Sequence, residues 1–189
     1  MSINILTNKL PQAVLINGAE VEVKTNFRSC INIILAFEDV NLTQEEKIYV
    51  LLKNLYGYIP ENNIEEYVKK GIEFLNCGEE IVEKENHKRL YSFSQDSKYI
   101  YVAMKQSMNV DFDNLHWWDF VNYFMALDEK SFFSRILYLR QQKNKGKLTK
   151  EEKKYWNDNR NILELKQEEN YNFDEKESIE EFKKLLKGG

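Results

Sequence analysis

Apolar residues recur along this chain mostly at helical spacing, with one alternating run near the start. Ala13-Val14-Leu15-Ile16 and Ala19-Glu20-Val21-Glu22-Val23 flank Asn17-Gly18, and Asn-Gly supplies the two positive-φ residues of a type I′ turn. This pattern predicts a β-hairpin. Next comes Thr25-Asn26, either of which can cap a helix. Phe27, Ile31, Ile34 and Leu35, with Phe37 or Glu38, then predict a first helix that ends near Asp39. Thr43-Gln44-Glu45-Glu46 reads as a capping box, in which hydroxyl and carboxylate satisfy each other's backbone amides. Ile48, Leu51, Leu52 and Leu55 carry that second helix toward Gly57. Asn62-Asn63 opens a third helix with Ile64, Tyr67, Val68, Ile72 and Leu75 on one stripe, and Gly78 stands where a left-handed C-terminal cap is wanted.

The stripe is then lost. Residues 79–89, EEIVEKENHKR, are nearly all charged and read as a solvated connector. Tyr99, Ile100, Val102, Ala103 and Met104 predict a fourth helix over 94–107, and Asn109-Val110-Asp111 turns the chain. The most aromatic stretch follows. In Leu115 to Leu127, Trp117, Phe120, Val121 and Phe124 share one face while Trp118 and Met125 sit on an adjoining one, which predicts a central helix. Asp128 is the expected cap of the next helix, bearing Phe132, Phe133, Ile136, Leu137 and Leu139 up to Arg140. After the exposed turn Lys143 to Lys147, Thr149 with Glu152 forms a second capping box. A helix with Tyr155, Ile162 and Leu165, and Trp156 and Leu163 beside them, is expected to run to Gln167. Beyond a polar stretch, Ser178 with Glu181 caps a short amphipathic segment bearing Ile179, Phe182, Leu185 and Leu186. The expected architecture is mainly α: an N-terminal β-hairpin followed by a compact multi-helix domain over 1–167, then a polar tether and a short C-terminal amphipathic helix over 168–189.

Composition agrees with a packed helical body. Seven Gly and two Pro in 189 residues are few for a many-stranded fold, and 42% hydrophobic residues exclude general disorder. The net charge of −4 favours neither phosphate backbones nor anionic membrane surfaces, so neither nucleic acid nor membrane is an expected partner. The first sixteen residues hold one lysine, and Pro11 and Asn17-Gly18 break their apolar stretch short of a span, so no leader is expected and a cytoplasmic location is. Cys30 and Cys77 stand singly in apolar patterns, as small buried hydrophobes do in a reducing compartment.

Chemistry finds little to build on. Cys30, Cys77, His87 and His116 are scattered, whereas structural zinc ligands come in close pairs, so no metal and no cofactor is expected. No Gly-rich phosphate loop or nucleophile elbow occurs. His116 lies between Asp113 and Asp119, where it serves either as a switch held by an acidic neighbour or, as we favour, as a hydrogen-bonded residue fixing a helix start. Asp111, Asp113 and Asp119 lack the ligand period of a calcium loop and read as caps. The lysines of 143–154 are diluted by Glu151 and Glu152 and read as a solvated turn. The expectation is a binding protein, not an enzyme. Trp117 and Trp118 point about 100° apart on a helix, so one fills the core while the other is a candidate anchor for a partner.

Several local patterns together resemble one family. Leu10-Pro11 precedes the Asn-Gly hairpin, Thr25-Asn26-Phe27-Arg28 leads into a helix, and Tyr91-Ser92-Phe93-Ser94-Gln95-Asp96 leads into Tyr99-Ile100-Tyr101. Asp111, His116-Trp117-Trp118-x-Phe120 and Ile136-Leu137-Tyr138-Leu139-Arg140 complete the series. Over residues 10–167 the chain resembles the bacteriophage gene-product-fifteen family of small proteins from long-tailed phages and prophages. It departs at Gln106 to Asp111, where relatives carry an aromatic residue and Gly before an Ile-Asp pair. The resemblance brings no catalytic residues. It implies a tail assembly chaperone of a siphovirus-like phage, acting in the bacterial host cytoplasm and binding the tape measure protein or other tail proteins. The rival reading is a structural tail or connector component retained in the virion. Trp117, Trp118, Ile179, Phe182, Leu185 and Leu186 are the candidate partner-binding residues, and association into a homo-oligomer is left open.

Overall fold

The computed structural model describes residues 4–79, 88–107 and 111–166. It is mainly helical behind an N-terminal hairpin. Contacts gather into two compact units: the described residues of 1–82 with 112–121, and those of 83–111 with 122–167. The stretch expected as one domain thus holds two contact clusters, interleaved along the chain.

The first unit opens with β1 (Ala13–Ile16) and β2 (Ala19–Glu22), antiparallel, with Ala13 opposite Glu22 and Ile16 opposite Ala19. Asn17 (φ 50°) and Gly18 (φ 82°) make the left-handed turn the sequence predicts. In α1 (Phe27–Glu38) the Asn26 side chain caps the helix by accepting from the Arg28 amide. In α2 (Gln44–Leu55) both halves of the Thr43–Glu46 capping box are present. α3 (Ile64–Leu75) follows Asn63, which sits in the left-handed region and makes no side-chain cap bond.

α1 packs on α2, α2 on α3, and α3 on β1. Cys30, Ile33, Ile48, Leu51, Leu52, Leu55 and Val68 are fully enclosed. The buried stripe of α1 is Phe27, Cys30, Ile33 and Phe37, while Ile31, Ile34 and Leu35 are half-buried. That corrects the stripe drawn from the sequence by a rotation of about one residue: Cys30 packs inward as a small hydrophobe and pulls the face with it.

The second unit contains α4 (Ser97–Ser107), α6 (Phe132–Asn144), α7 (Lys150–Asp158) and the short α8 (Arg160–Leu163). α5 (Trp117–Met125) lies on residues assigned partly to each unit. α4 begins three residues later than expected. The Asp96 carboxylate takes the Ser92 amide at 3.0 Å and the Ser92 hydroxyl takes the Gln95 amide at 3.2 Å, so side chains hold 92–96 as a turn.

The cap of α6 is Ser131, whose hydroxyl accepts from the Ser134 amide, not Asp128. Asp128 instead accepts from the Lys130 amide at 2.7 Å, as short acidic side chains do in turns. The last expected helix is broken at Asn159, whose side-chain amide donates to the Tyr155 carbonyl. The break turns Trp156 and Leu163 into the core with Ile136, Leu139 and Leu148, leaving Tyr155 and Ile162 partly buried. No helix among the described residues is long and apolar enough to cross a membrane.

Candidate functional site

The aromatic block singled out by the sequence forms a knot in the first unit. The four carbonyls at the end of a helix lack partners within it. In α3 each one finds a partner. Ile72 O accepts from Asn76, and Glu73 O from Gly78 in the long bond of a left-handed cap. Phe74 O takes both the Cys77 amide and the Trp118 indole N–H, at 3.0 and 2.9 Å. Leu75 O takes the Trp117 indole N–H at 2.9 Å. Gly78 is at φ 75°, and a Cβ there would stand 3.2 Å from Trp118 Cη2, so both backbone and packing call for glycine.

Both tryptophans are therefore interior: Trp117 is 3% exposed and Trp118 5%. The expectation that one of them faces outward is corrected. Although adjacent helix positions diverge by about 100°, the end of α3 offers two neighbouring carbonyls, and the two indoles reach one each. Trp117 also stacks on Phe120, and Phe120 on Phe27 with centroids 4.8 Å apart.

His116 sits at the centre of the knot. Its Nδ1 accepts from the Trp118 amide at 3.0 Å, and its Nε2 lies 3.0 Å from the Pro11 carbonyl, which fixes the proton on Nε2. Around it, Phe27 N donates to Leu115 O and Trp117 N to Thr25 O, a two-bond bridge between the starts of α1 and α5. The favoured reading of His116 as a residue fixing a helix start is what the geometry shows. Asp113, one of its expected acidic neighbours, pairs with Arg28 at 2.9 Å on the surface.

Each cysteine is a free thiol. Cys30 is enclosed in α1, and burial, then the charge of Cys77, raises its pKa to about 12. Cys77 stands just past α3 at φ 57°, not within the helix as the pattern suggested, and burial, then Glu79, raises its thiol to about 11. No group of three or more His, Cys, Asp and Glu able to hold a metal occurs among the described residues.

Sequence reasoning missed one buried ionic site, in the second unit. Asp96 and Arg140 are 0% and 3% exposed and form a two-pronged pair. A signal existed: Arg140 falls four residues after Ile136, on the buried face of α6. The lysine-rich turn, read as solvated, borders an open groove lined by Lys143, Leu148, Lys153 and Trp156. Exposed apolar side chains occur in each unit, among them Leu6 at 92% and Met125 at 78%. His87 and the candidate anchors Ile179, Phe182, Leu185 and Leu186 lie outside the described residues.

Comparison with curated proteins and with solved structures found no match to the chain. The family described as Bacteriophage Gp15 protein matches residues 6–165, which include the hairpin, the His116-Trp117-Trp118 knot and the Asp96–Arg140 pair. The chain belongs to the Bacteriophage Gp15 protein family.

Proposed function

We propose that this phage-family protein is a tail assembly chaperone, which binds the tape measure protein in the host cytoplasm while the tail is built and then leaves it. Membership of the Bacteriophage Gp15 protein family over residues 6–165 carries the reading. A tape measure protein is long and exposes apolar helix stripes until the tail tube encloses it. A helical protein in many copies covers such stripes reversibly. Exposed apolar side chains such as Leu6, Met125 and Phe132 are surface of the right kind for that task.

The reading is of a binding protein and not an enzyme. His116, the histidine the sequence offered for chemistry, has its ring nitrogens turned to the Trp118 amide and the Pro11 carbonyl. The test is to co-express the chain with a fragment of the tape measure protein of the same phage, and to examine purified mature particles. A chaperone keeps the fragment soluble, co-purifies with it and is missing from the particles. Stoichiometric presence in mature particles would instead identify a structural tail or connector component.

A further inference from the structure

Residues 143–154 carry six lysines against two acids, Glu151 and Glu152, in a chain of net charge −4. The fold gives this turn a shape. Within the second unit, the end of α6 and the face of α7 border a groove of about 420 Å³ lined by Lys143, Gly146, Leu148, Lys153, Trp156 and Asn157. Lys143 and Lys153 are exposed, and Lys143 Nζ stands 5.5 Å from the centre of the Trp156 ring. Of the two acids, Glu152 is turned to the Thr149 amide at 2.8 Å and the Tyr138 hydroxyl, and Glu164, which feels the charge of Lys143, is itself paired with Arg160, so lysines remain in local excess at the rim.

The chemistry of the groove selects an acidic peptide. Trp156 is only 6% exposed, so it offers no free face on which a base could stack. A long polyanion also meets the repulsion of an acidic chain, whereas a short acidic segment meets mainly the local lysines. Such a segment exists in the sequence beyond the described residues. Stretch 168–177, EENYNFDEKE, holds five acids and one lysine, with Tyr171 and Phe173 between them.

We propose that this lysine-rimmed groove receives the acidic stretch 168–177 of a second copy of the chain. The last described residues are tied to Gln95: its side chain donates to Glu164 O at 2.8 Å and accepts from the Lys166 amide at 3.0 Å. The last described residues are thus held ahead of α4, with Glu164 close enough to the groove's Lys143 to feel its charge. Groove on one copy and acidic stretch on the next make a head-to-tail contact, which can propagate. That arrangement would suit many copies covering one long partner; this purpose rests on the proposed function, while the contact itself does not.

The test uses the full chain alone, with equal amounts of 14N and 15N protein treated with a zero-length carbodiimide cross-linker. Links from Lys143 or Lys153 to acids of 168–177 that join a light to a heavy copy are expected, and should vanish in about 0.5 M salt, where charges are screened within a few ångströms. Lys143→Glu with Lys153→Glu, and separately Asp174→Lys with Glu175→Lys, should each weaken self-association about tenfold or more. Mixing these two variants should restore it. Links confined to one isotope would show a chain covering its own groove and overturn the proposal. So would self-association unmoved by either reversal. Since no tape measure fragment is present, neither result bears on the chaperone reading.

Discussion

Arg140 and Asp96 meet end-on in the interior of the second unit, with Nη1 2.6 Å from Oδ2 and Nη2 3.0 Å from Oδ1. The remaining guanidinium donors reach the carbonyls of Leu90, Ile162 and Leu163 at 2.7 to 3.0 Å, so one side chain on α6 ties the approach to α4 to α8. All five donors of the fork are used. Removing one partner leaves an uncompensated buried charge. Asp96→Ala should therefore lower unfolding free energy by about 3 to 5 kcal/mol in urea titration, while the double change Asp96→Leu with Arg140→Met should cost clearly less than the sum of its parts. A loss under about 1 kcal/mol for Asp96→Ala would mean that the site opens to water when disturbed.

The paired tryptophans give a second expectation, that Trp117→Ala and Trp118→Ala are alike. Each should cost about 3 to 5 kcal/mol, because each empties a buried indole site. Trp117→Phe and Trp118→Phe then separate packing from bonding. The first leaves Leu75 O with no donor and should cost about 1 to 3 kcal/mol beyond the lost area, whereas Phe74 O keeps the Cys77 amide and the second should cost less. Equal losses in the two Phe variants, measured by chemical unfolding, would remove the carbonyl account.

The thiols set a pH dependence with a definite sign. Both folded-state values are raised above the ordinary 9.0, Cys30 to about 12 and Cys77 to about 11, chiefly by burial. A raised value means stability that is whole below pH 9.0 and is lost as pH climbs toward 12. For Cys30 the slope is at most about 1.4 kcal/mol per pH unit in that window. Cys30→Ala should flatten the alkaline fall in stability, and Cys30, unlike the half-buried Cys77, should react with a thiol reagent at pH 8 only as fast as the protein unfolds. Rapid labelling of Cys30 in the folded state would contradict its burial. A chelator should leave the melting temperature unchanged.

Much of this fold is legible in the sequence because it is locally determined. The Asn17-Gly18 turn and the Thr43 and Thr149 capping boxes lie where the chain specifies them, since each needs only residues within four positions of one another. The misreadings are where distant partners decide. Asp96 ends a turn because Arg140, 44 residues on, fixes its carboxylate. Trp118 turns inward onto the end of α3, where its indole N–H reaches Phe74 O, 44 residues back, and its ring packs on Gly78. Asn159 breaks a helix whose periodicity would have continued, since the break sends Trp156 and Leu163 into one core. As for the candidate site, the aromatic block was found but its role was not: nothing in His-Trp-Trp says that its polar atoms are spent on the end of another helix.

With both tryptophans buried, the remaining candidate anchors are those of the C-terminal pattern, Ile179, Phe182, Leu185 and Leu186, beyond the described residues. The sequence between Ser178 and Lys187 is under three helical turns long, and isolated helices shorter than about 12 residues are marginal in water. Such a segment gains order only by laying its apolar side chains on a surface. If that surface belongs to the tape measure protein, Phe182→Asp with Leu186→Asp in the full chain should leave the melting temperature within about a degree. The same variant should weaken capture of a co-expressed tape measure fragment at least about thirtyfold, the loss of one strong anchor. The acidic stretch 168–177 is untouched, so self-association should persist. A fall of several degrees in melting temperature with capture retained would make these four side chains part of the folded core and leave partner binding to the exposed apolar residues of the body, Met125 and Phe132 among them.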